Sequence, residues 1–126
     1  MKLNSLIIGA GNIGSVYDDQ NDSHILSHAK AYTNNYNFNL VGFVDVDIFR
    51  AKTASKKWNS EYFNSIDDAL NKYRIDVYSV CVPDHLHYEV LKTLCKLKNI
   101  FIFTEKPLTR YLFESKEIIN LMKKNN

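Results

Sequence analysis

Three of the four glycines in this chain lie within six residues, directly after its first apolar run. Residues 3–8 are short and mostly apolar, which is typical of a buried strand. Gly9, Gly11 and Gly14 then fit the pattern GxGxxG, in which successive glycines make a turn, let the backbone approach a pyrophosphate and let a helix pack closely on the strand. A plain glycine turn is the alternative. The position between an apolar strand and a helical segment favours a phosphate-binding loop, because the helix amides then face the phosphates.

The rest of the chain continues an alternation of strands and helices. Further strands are predicted at residues 38–44, 61–63, 77–82 and 100–103. Helices are predicted at residues 25–34, 48–58, 66–72 and 85–97, and Thr109 is expected to cap a final helix. A polar segment at residues 18–23 interrupts the first crossover, so we expect a short helix, a loop and then helix 25–34. Near-continuous apolar strands that alternate with helices predict an α/β fold, a Rossmann-type doubly wound parallel sheet of order 3-2-1-4-5 with helices on both faces.

Length and composition restrict the classes of partner. At 126 residues, the chain is long enough for one domain, residues 1–126. The net charge of +2, without long runs of like charge, gives no indication of a nucleic acid or an anionic membrane as partner. No apolar run approaches the roughly 20 residues of a membrane helix, and Cys81 and Cys95 form no CxxC pair. We therefore expect a soluble, cytoplasmic protein that binds small molecules.

The residues with special backbone demands collect at one edge of the predicted sheet. Pro83 follows the fourth strand and Pro107 follows the fifth, while three glycines follow the first. In open α/β sheets, ligands bind beyond the carboxyl ends of the strands, near the point where the strand order reverses. The loops after the first and fourth strands are therefore the predicted ligand site.

An acidic residue at the end of the second strand is the expected partner of ribose hydroxyls. Asp45 holds that position, but it lies 31 residues after Gly14 instead of about 20, and the polar segment in the first crossover accounts for the excess. Asp47 is an alternative partner, and Asp45 could instead cap the following helix. If Asp45 binds the ribose, its charge repels a 2′-phosphate, which favours NAD over NADP.

Five stretches together give the chain a family resemblance. They read, in order, IIGAGNIG, HAKAY, LVGFVDVD, CVPDHLHYE and FTEKPLT. With these stretches the chain resembles the glucose-fructose oxidoreductase, inositol dehydrogenase and MocA family of NAD(P)-dependent oxidoreductases. The Pro-Asp-x-x-His stretch, followed about twenty residues later by Glu-Lys-Pro, is more specific than the glycine pattern.

The resemblance implies roles for individual residues. Lys106 matches the family's catalytic lysine, beside the nicotinamide and the substrate, where its amine can exchange a proton with a reacting hydroxyl; a surface charge at a strand end is the alternative. The peptide before Pro107 is hypothesised to be cis. A metal pair at His85 and His87 lacks a third ligand, so no metal site is predicted. The predicted cofactor-binding residues are Gly9, Gly11, Asn12, Ile13, Gly14, Asp45, Val82, Pro83, His87, Glu105, Lys106 and Pro107.

The family's second domain, an open antiparallel sheet that holds the substrate, has no counterpart here. We therefore expect a fragment of a longer enzyme, inactive alone, whose fifth strand lies at an open edge and offers a route to self-association. The parent enzyme would transfer hydride between a nicotinamide cofactor and a sugar-like or polyol hydroxyl or ketone. A stand-alone, non-catalytic dinucleotide-binding module is the alternative. A methyltransferase is disfavoured because it gives no role to Glu105, Lys106 and Pro107.

Overall fold

Five parallel strands form one sheet in the computed structural model of the chain, which describes residues 1–125. The strands are β1 (Leu3–Ile8), β2 (Phe38–Val44), β3 (Glu61–Phe63), β4 (Val77–Val80) and β5 (Phe101–Thr104). Their order is β3-β2-β1-β4-β5, and every pairing is parallel. The predicted Rossmann-type order is confirmed. The strand order reverses between β1 and β4, and this reversal places the candidate site.

Within residues 1–125, four α-helices connect the strands, a fifth follows β5, and a π-helical turn precedes the first. The turn spans Asn12–Val16, and the helices are α1 (His28–Asn34), α2 (Ile48–Trp58), α3 (Ile66–Lys72), α4 (Asp84–Leu94) and α5 (Leu112–Asn125). Short polar side chains cap the amino ends of α1, α2 and α3. Ser27, Asp47 and Ser65 each accept a hydrogen bond from an amide in the first turn of the helix that follows.

The two faces of the sheet carry separate apolar layers. Side chains alternate along β1, so Ile7 packs on one side while Leu6 and Ile8 pack on the other. Ile7 belongs to the layer under α1 and α2, where Trp58 donates a hydrogen bond from Nε1 to the carbonyl of Ser15 at 3.0 Å. Leu6 and Ile8 belong to the layer under α3, α4 and α5. The hydrogen bond from Trp58 therefore links α2 to the π-helical turn.

The helix predicted at residues 25–34 begins three residues later than expected. The Asp18 carboxylate accepts hydrogen bonds from the amides of Leu26 (2.6 Å) and Ser27 (3.0 Å) and from the Ser27 hydroxyl, so these two residues belong to a loop. Burial disfavours the Asp18 carboxylate, but these hydrogen bonds outweigh burial and lower its pKa. The inserted loop exists as predicted, yet it is anchored by a buried acid.

Other boundaries shift by a few residues. β4 ends at Val80, two residues before the predicted end, and α4 begins at Asp84 and ends at Leu94. The prediction that Thr109 caps the last helix is wrong, because its hydroxyl donates to the carbonyl of Tyr111 (2.9 Å) and α5 begins at Leu112. These shifts leave the ligand edge of the sheet in its predicted place.

The fifth strand lies at an edge of the sheet, as predicted, and one of its faces is uncovered. Ile102 packs into the layer under α4 and α5, whereas Phe101 and Phe103 point the other way and are 68% and 59% exposed. The ring of His28 on α1 contacts Phe103 at 4.9 Å between centroids. Within residues 1–125 no helix is both long and apolar enough to cross a membrane.

Truncation of a core leucine on α4 tests the layer under this helix. Leu94 is fully buried, so Leu94→Ala is expected to lower the free energy of unfolding by about 2–5 kcal/mol. The control Leu112→Ala removes a side chain that is 72% exposed and is expected to change it by less than about 0.5 kcal/mol. Urea unfolding measures both, and equal losses would contradict the packing described.

Candidate functional site

The three glycines of the loop after β1 meet different steric demands. Gly9 has a φ of 102°, and a Cβ there would lie 2.6 Å from the carbonyl carbon and oxygen of Cys81. A Cβ at Gly14 would lie 2.2 Å from the carbonyl oxygen of Gly9. At Gly11, by contrast, a Cβ would meet no atom within 4 Å. The first and third glycines are required by the fold, while the second leaves a space that a ligand can enter.

The loop leads directly into the π-helical turn. Ser15 and Val16 donate their amides to the carbonyl of Gly11 at 2.9 and 3.3 Å, and Tyr17 donates its amide to the carbonyl of Asn12 at 3.1 Å. The first amides of a helical turn have no partner within the turn. Those amides lie at the carboxyl end of β1, as the glycine pattern predicts.

A cleft of about 480 Å³ runs along the carboxyl ends of β2, β1 and β4. It brings together seven of the predicted cofactor-binding residues, namely Gly9, Gly11, Asn12, Ile13, Asp45, Val82 and Pro83. Gly14 lies beneath the loop and packs on Gly9. Most of the predicted adenosine and pyrophosphate site is therefore one continuous surface.

The Asp45 carboxylate is tied to the glycine loop. Its Oδ2 accepts a hydrogen bond from the amide of Ala10 at 2.7 Å, and its Oδ1 accepts one from the amide of Asp47 at 2.8 Å. Asp47 caps α2 by accepting from the amide of Phe49 at 3.0 Å. The alternative in which Asp45 caps this helix is therefore wrong. Asp45 lies in the cleft, where the remaining lone pairs of its carboxylate can accept hydrogen bonds from ribose hydroxyls.

The remaining predicted residues lie further along the same edge, outside this cleft. The amide of Glu105 donates to the carbonyl of Val80 at 3.1 Å, which extends the pairing of β5 with β4 by one residue. The peptide between Lys106 and Pro107 is cis, as hypothesised. The Lys106 side chain is exposed and has no hydrogen bond or ion pair within residues 1–125.

His87 is buried and connects the two loops at this end of the edge. Its Nδ1 lies 2.7 Å from the carbonyl oxygen of Pro107, and its Nε2 lies 2.9 Å from that of Val82. The His87 side chain is 1% exposed, and its imidazole contacts backbone carbonyls of the loop after β4 and of the loop after β5. Within residues 1–125 no group of three metal-ligating side chains occurs.

Three residues in or beside the cleft are not among the predicted site residues. Arg50 lines the cleft, with its Nε 3.7 Å from Asp47 Oδ2, and the spacing of three residues on α2 was an available signal. Tyr17, which ends the π-helical turn, also lines the cleft. His28 places Nε2 2.7 Å from Glu105 Oε1, a contact between distant segments that residue spacing does not reveal.

Both cysteines are free thiols and are buried. Burial, together with the charge of Glu105, raises the pKa of Cys81 to about 12. Burial also raises the pKa of Cys95. Cys81 lines the cleft, but a thiol that stays protonated at neutral pH is a poor nucleophile and a poor metal ligand.

Known proteins share this architecture. The family model described as "Oxidoreductase family, NAD-binding Rossmann fold" matches residues 3–126. The chain is 31% identical over 120 residues to the uncharacterized oxidoreductase YrbE of Bacillus subtilis, with 94% of this chain and 32% of that protein covered. It is 26% identical over 105 residues to the redox-sensing transcriptional repressor Rex of Caldicellulosiruptor saccharolyticus, with 82% of this chain and 43% of Rex covered.

A solved structure gives the same result at the level of the fold. The UDP-N-acetylglucosamine 3-dehydrogenase GnnA from Acidithiobacillus ferrooxidans superposes with a TM-score of 0.79 at 21% identity, covering 99% of this chain and 36% of GnnA. At that identity the likeness shows the fold alone. The chain spans less than half the length of the curated relatives described above.

Alanine at two of the glycines separates the demands of the fold from the space of the cleft. Gly14→Ala forces a Cβ onto a backbone oxygen, so it is expected to cost about 3 kcal/mol or more of unfolding free energy. Gly11→Ala meets open space and is expected to cost less than about 1 kcal/mol. Thermal unfolding of the ligand-free protein measures both. A Gly11→Ala variant as unstable as Gly14→Ala would overturn the assignment of Gly11 to the ligand.

Proposed function

We propose that this chain is the cofactor-binding half of a hydride-transferring enzyme, because it belongs to the glucose-fructose oxidoreductase, inositol dehydrogenase and MocA family as an NAD(P)-binding Rossmann domain. The enzyme would act on a sugar-like or polyol hydroxyl or on the corresponding ketone. The observation that carries the proposal is the order of groups along one sheet edge: Asp45 after β2, the glycine loop after β1, and Lys106 after β5.

This order matches the parts of a dinucleotide. Neighbouring strands are about 5 Å apart, so a cofactor that lies along the edge meets β2 with one nucleoside and β5 with the other. The ribose hydroxyls of the adenosine half would bind Asp45, and the pyrophosphate would lie against Gly11 and the amides of Asn12 and Ile13. The space at Gly11, which a Cβ would begin to fill, fits such a group.

Lys106 is the proposed proton-exchanging group. When bound, the nicotinamide accepts or supplies hydride. The Lys106 amine, exposed and unpaired within residues 1–125, would donate a proton to the reacting oxygen or take one from it. His87 and the amide of Glu105 fix the backbone on either side of the lysine. His87 would therefore help to hold the backbone next to Lys106 in place.

We further propose NAD as the preferred cofactor. The Asp45 carboxylate is held in the cleft by the amides of Ala10 and Asp47, so a 2′-phosphate would approach a fixed negative charge. Arg50 is the one lysine or arginine among the described residues that line the cleft, and its Nε lies 3.7 Å from Asp47 Oδ2. This arrangement favours a free ribose hydroxyl.

The remaining proposals concern the larger assembly. Residues 1–126 would form the dinucleotide-binding domain, and the sugar-like substrate would bind mainly to a second domain, in line with the greater length of the relatives. The exposed Phe101 and Phe103 on the edge strand support self-association along β5. The two buried free thiols support a reducing, cytoplasmic location.

A non-catalytic dinucleotide sensor is the second candidate. The similarity to a protein named as a redox-sensing repressor favours it, because such a role needs the cofactor cleft but no substrate pocket. The enzyme proposal differs in giving Lys106 a chemical task.

Calorimetric titration tests the cofactor. NADH is expected to bind, NADPH to bind at least about tenfold more weakly, and S-adenosylmethionine to give no heat. Asp45→Asn is expected to weaken NADH binding about tenfold through loss of charged hydrogen bonds and to reduce the preference over NADPH. Asp67→Asn, on the exposed first turn of α3, is the control. The absence of heat with both nicotinamide dinucleotides would refute the enzyme and the sensor alike.

Turnover separates the enzyme from the sensor. In a protein that joins this chain to a substrate domain, Lys106→Met is expected to reduce oxidation of a polyol by NAD about a hundredfold or more, while NADH affinity changes by less than about threefold. Lys98→Met, at an exposed position before β5, is the control. Turnover that survives in Lys106→Met would remove the lysine from the chemistry.

A further inference from the structure

A chain of four polar side chains joins α1, β4 and the end of β5. Tyr32 Oη lies 2.7 Å from Ser79 Oγ, which lies 2.9 Å from His28 Nδ1, and His28 Nε2 lies 2.7 Å from Glu105 Oε1. Tyr32, Ser79 and His28 are buried, whereas the Glu105 side chain is 30% exposed. The buried chain therefore ends on a carboxylate beside Lys106.

Counting donors fixes the direction of these hydrogen bonds. An ionised carboxylate only accepts, so His28 donates from Nε2 to Glu105. Nδ1 then accepts from the Ser79 hydroxyl, which in turn accepts from Tyr32. With an imidazole protonated on both nitrogens, Ser79 would accept from His28, and either the Ser79 or the Tyr32 hydroxyl hydrogen would then lack a partner within this array. Burial raises the pKa of Tyr32 despite its bond to Ser79, which keeps the phenol a donor.

Ser79, His28 and Glu105 are the residue types of a hydrolytic catalytic triad, but a substrate cannot reach the serine. Ser79 is 0% exposed in the middle of the sheet, so no substrate carbonyl can reach its oxygen. The hydrogen bonds of the array instead position Glu105. Its Oε1 accepts from His28 Nε2, and its Oε2 has no hydrogen-bond partner within residues 1–125. The partly exposed Oε2 is therefore available to accept a hydrogen bond from water or from a ligand.

The sheet order says which part of a dinucleotide lies nearby. With the adenosine half over β2 and the pyrophosphate over β1, the nicotinamide half would lie over β4 and β5, about 5–10 Å further along the edge. Glu105 lines a groove of about 510 Å³ that adjoins the cofactor cleft at Ile13, which lines both. Glu105 therefore lies on the β5 side of the glycine loop, where the proposed cofactor would place its nicotinamide nucleoside.

We propose that His28 is a positioning residue, which holds Glu105 so that its free oxygen accepts a hydrogen bond from a hydroxyl or carboxamide of the nicotinamide nucleoside. Ser79 and Tyr32 fix the tautomer and the ring orientation of His28. This inference rests on the proposed binding of a nicotinamide dinucleotide, and it adds a role for α1 that the glycine loop and Lys106 do not require.

Binding of NADH and of ADP tests the inference. ADP carries the adenosine and the two phosphates but no nicotinamide nucleoside. His28→Leu is expected to weaken NADH about tenfold and to leave ADP within about twofold, because one charge-assisted hydrogen bond is lost. His28→Gln, whose amide can donate near the position of Nε2, is expected to recover most of the NADH affinity. Circular dichroism verifies that both variants are folded.

The outcomes separate this inference from the function on which it rests. A parent chain that binds neither NADH nor ADP refutes the proposed function. A parent that binds both, with a His28→Leu variant that loses both equally or loses neither, refutes the positioning role alone. Nitrogen-15 NMR of the unliganded protein gives an independent result, with His28→Gln assigning the resonance. The Nε2–H tautomer is expected, and a ring protonated on Nδ1 would overturn the donor chain.

Discussion

The carbonyl oxygen of Gly9 lies so close to Gly14 that no side chain fits between them. The backbone of Cys81 approaches Gly9 almost as closely from the other side. These contacts bring β1, the π-helical turn and the loop after β4 together at the point where the strand order reverses. The amide of Ala10 then holds Asp45, which adds the end of β2 to the same surface. The shape of the cleft follows from how closely these backbone segments approach.

The other end of the edge is held by side chains. His28 on α1 and His87 on α4 approach from opposite faces of the sheet, the first through the Glu105 carboxylate and the second through the Pro107 carbonyl. Between them, the Lys106 side chain is exposed to solvent. A fixed backbone therefore carries the exposed side chain to which the proposed function gives the proton exchange.

The sequence predicts the sheet well because apolar runs and glycine spacing are local signals. β1, β2, β3, α2 and α3 have their predicted bounds, and the strand order is the predicted one. The start of α1 was missed because Asp18, within a segment that reads as solvated loop, is buried and binds the amides of residues 26 and 27. The contact between His28 and Glu105 spans 77 positions in the chain, so no periodicity encodes it. Such contacts depend on the folded arrangement of α1 against the sheet.

The two cysteines give the molecule internal probes of its own opening. Both thiols are shielded in the folded state, and burial keeps them protonated. Alkylation therefore requires a transient opening, and its rate at each position reports the free energy of that opening. Cys95 lies in the layer under α4 and α5, while Cys81 lies in the layer under α1 and α2 and lines the cleft. Comparing the two rates resolves whether the layers on either side of the sheet open together or separately.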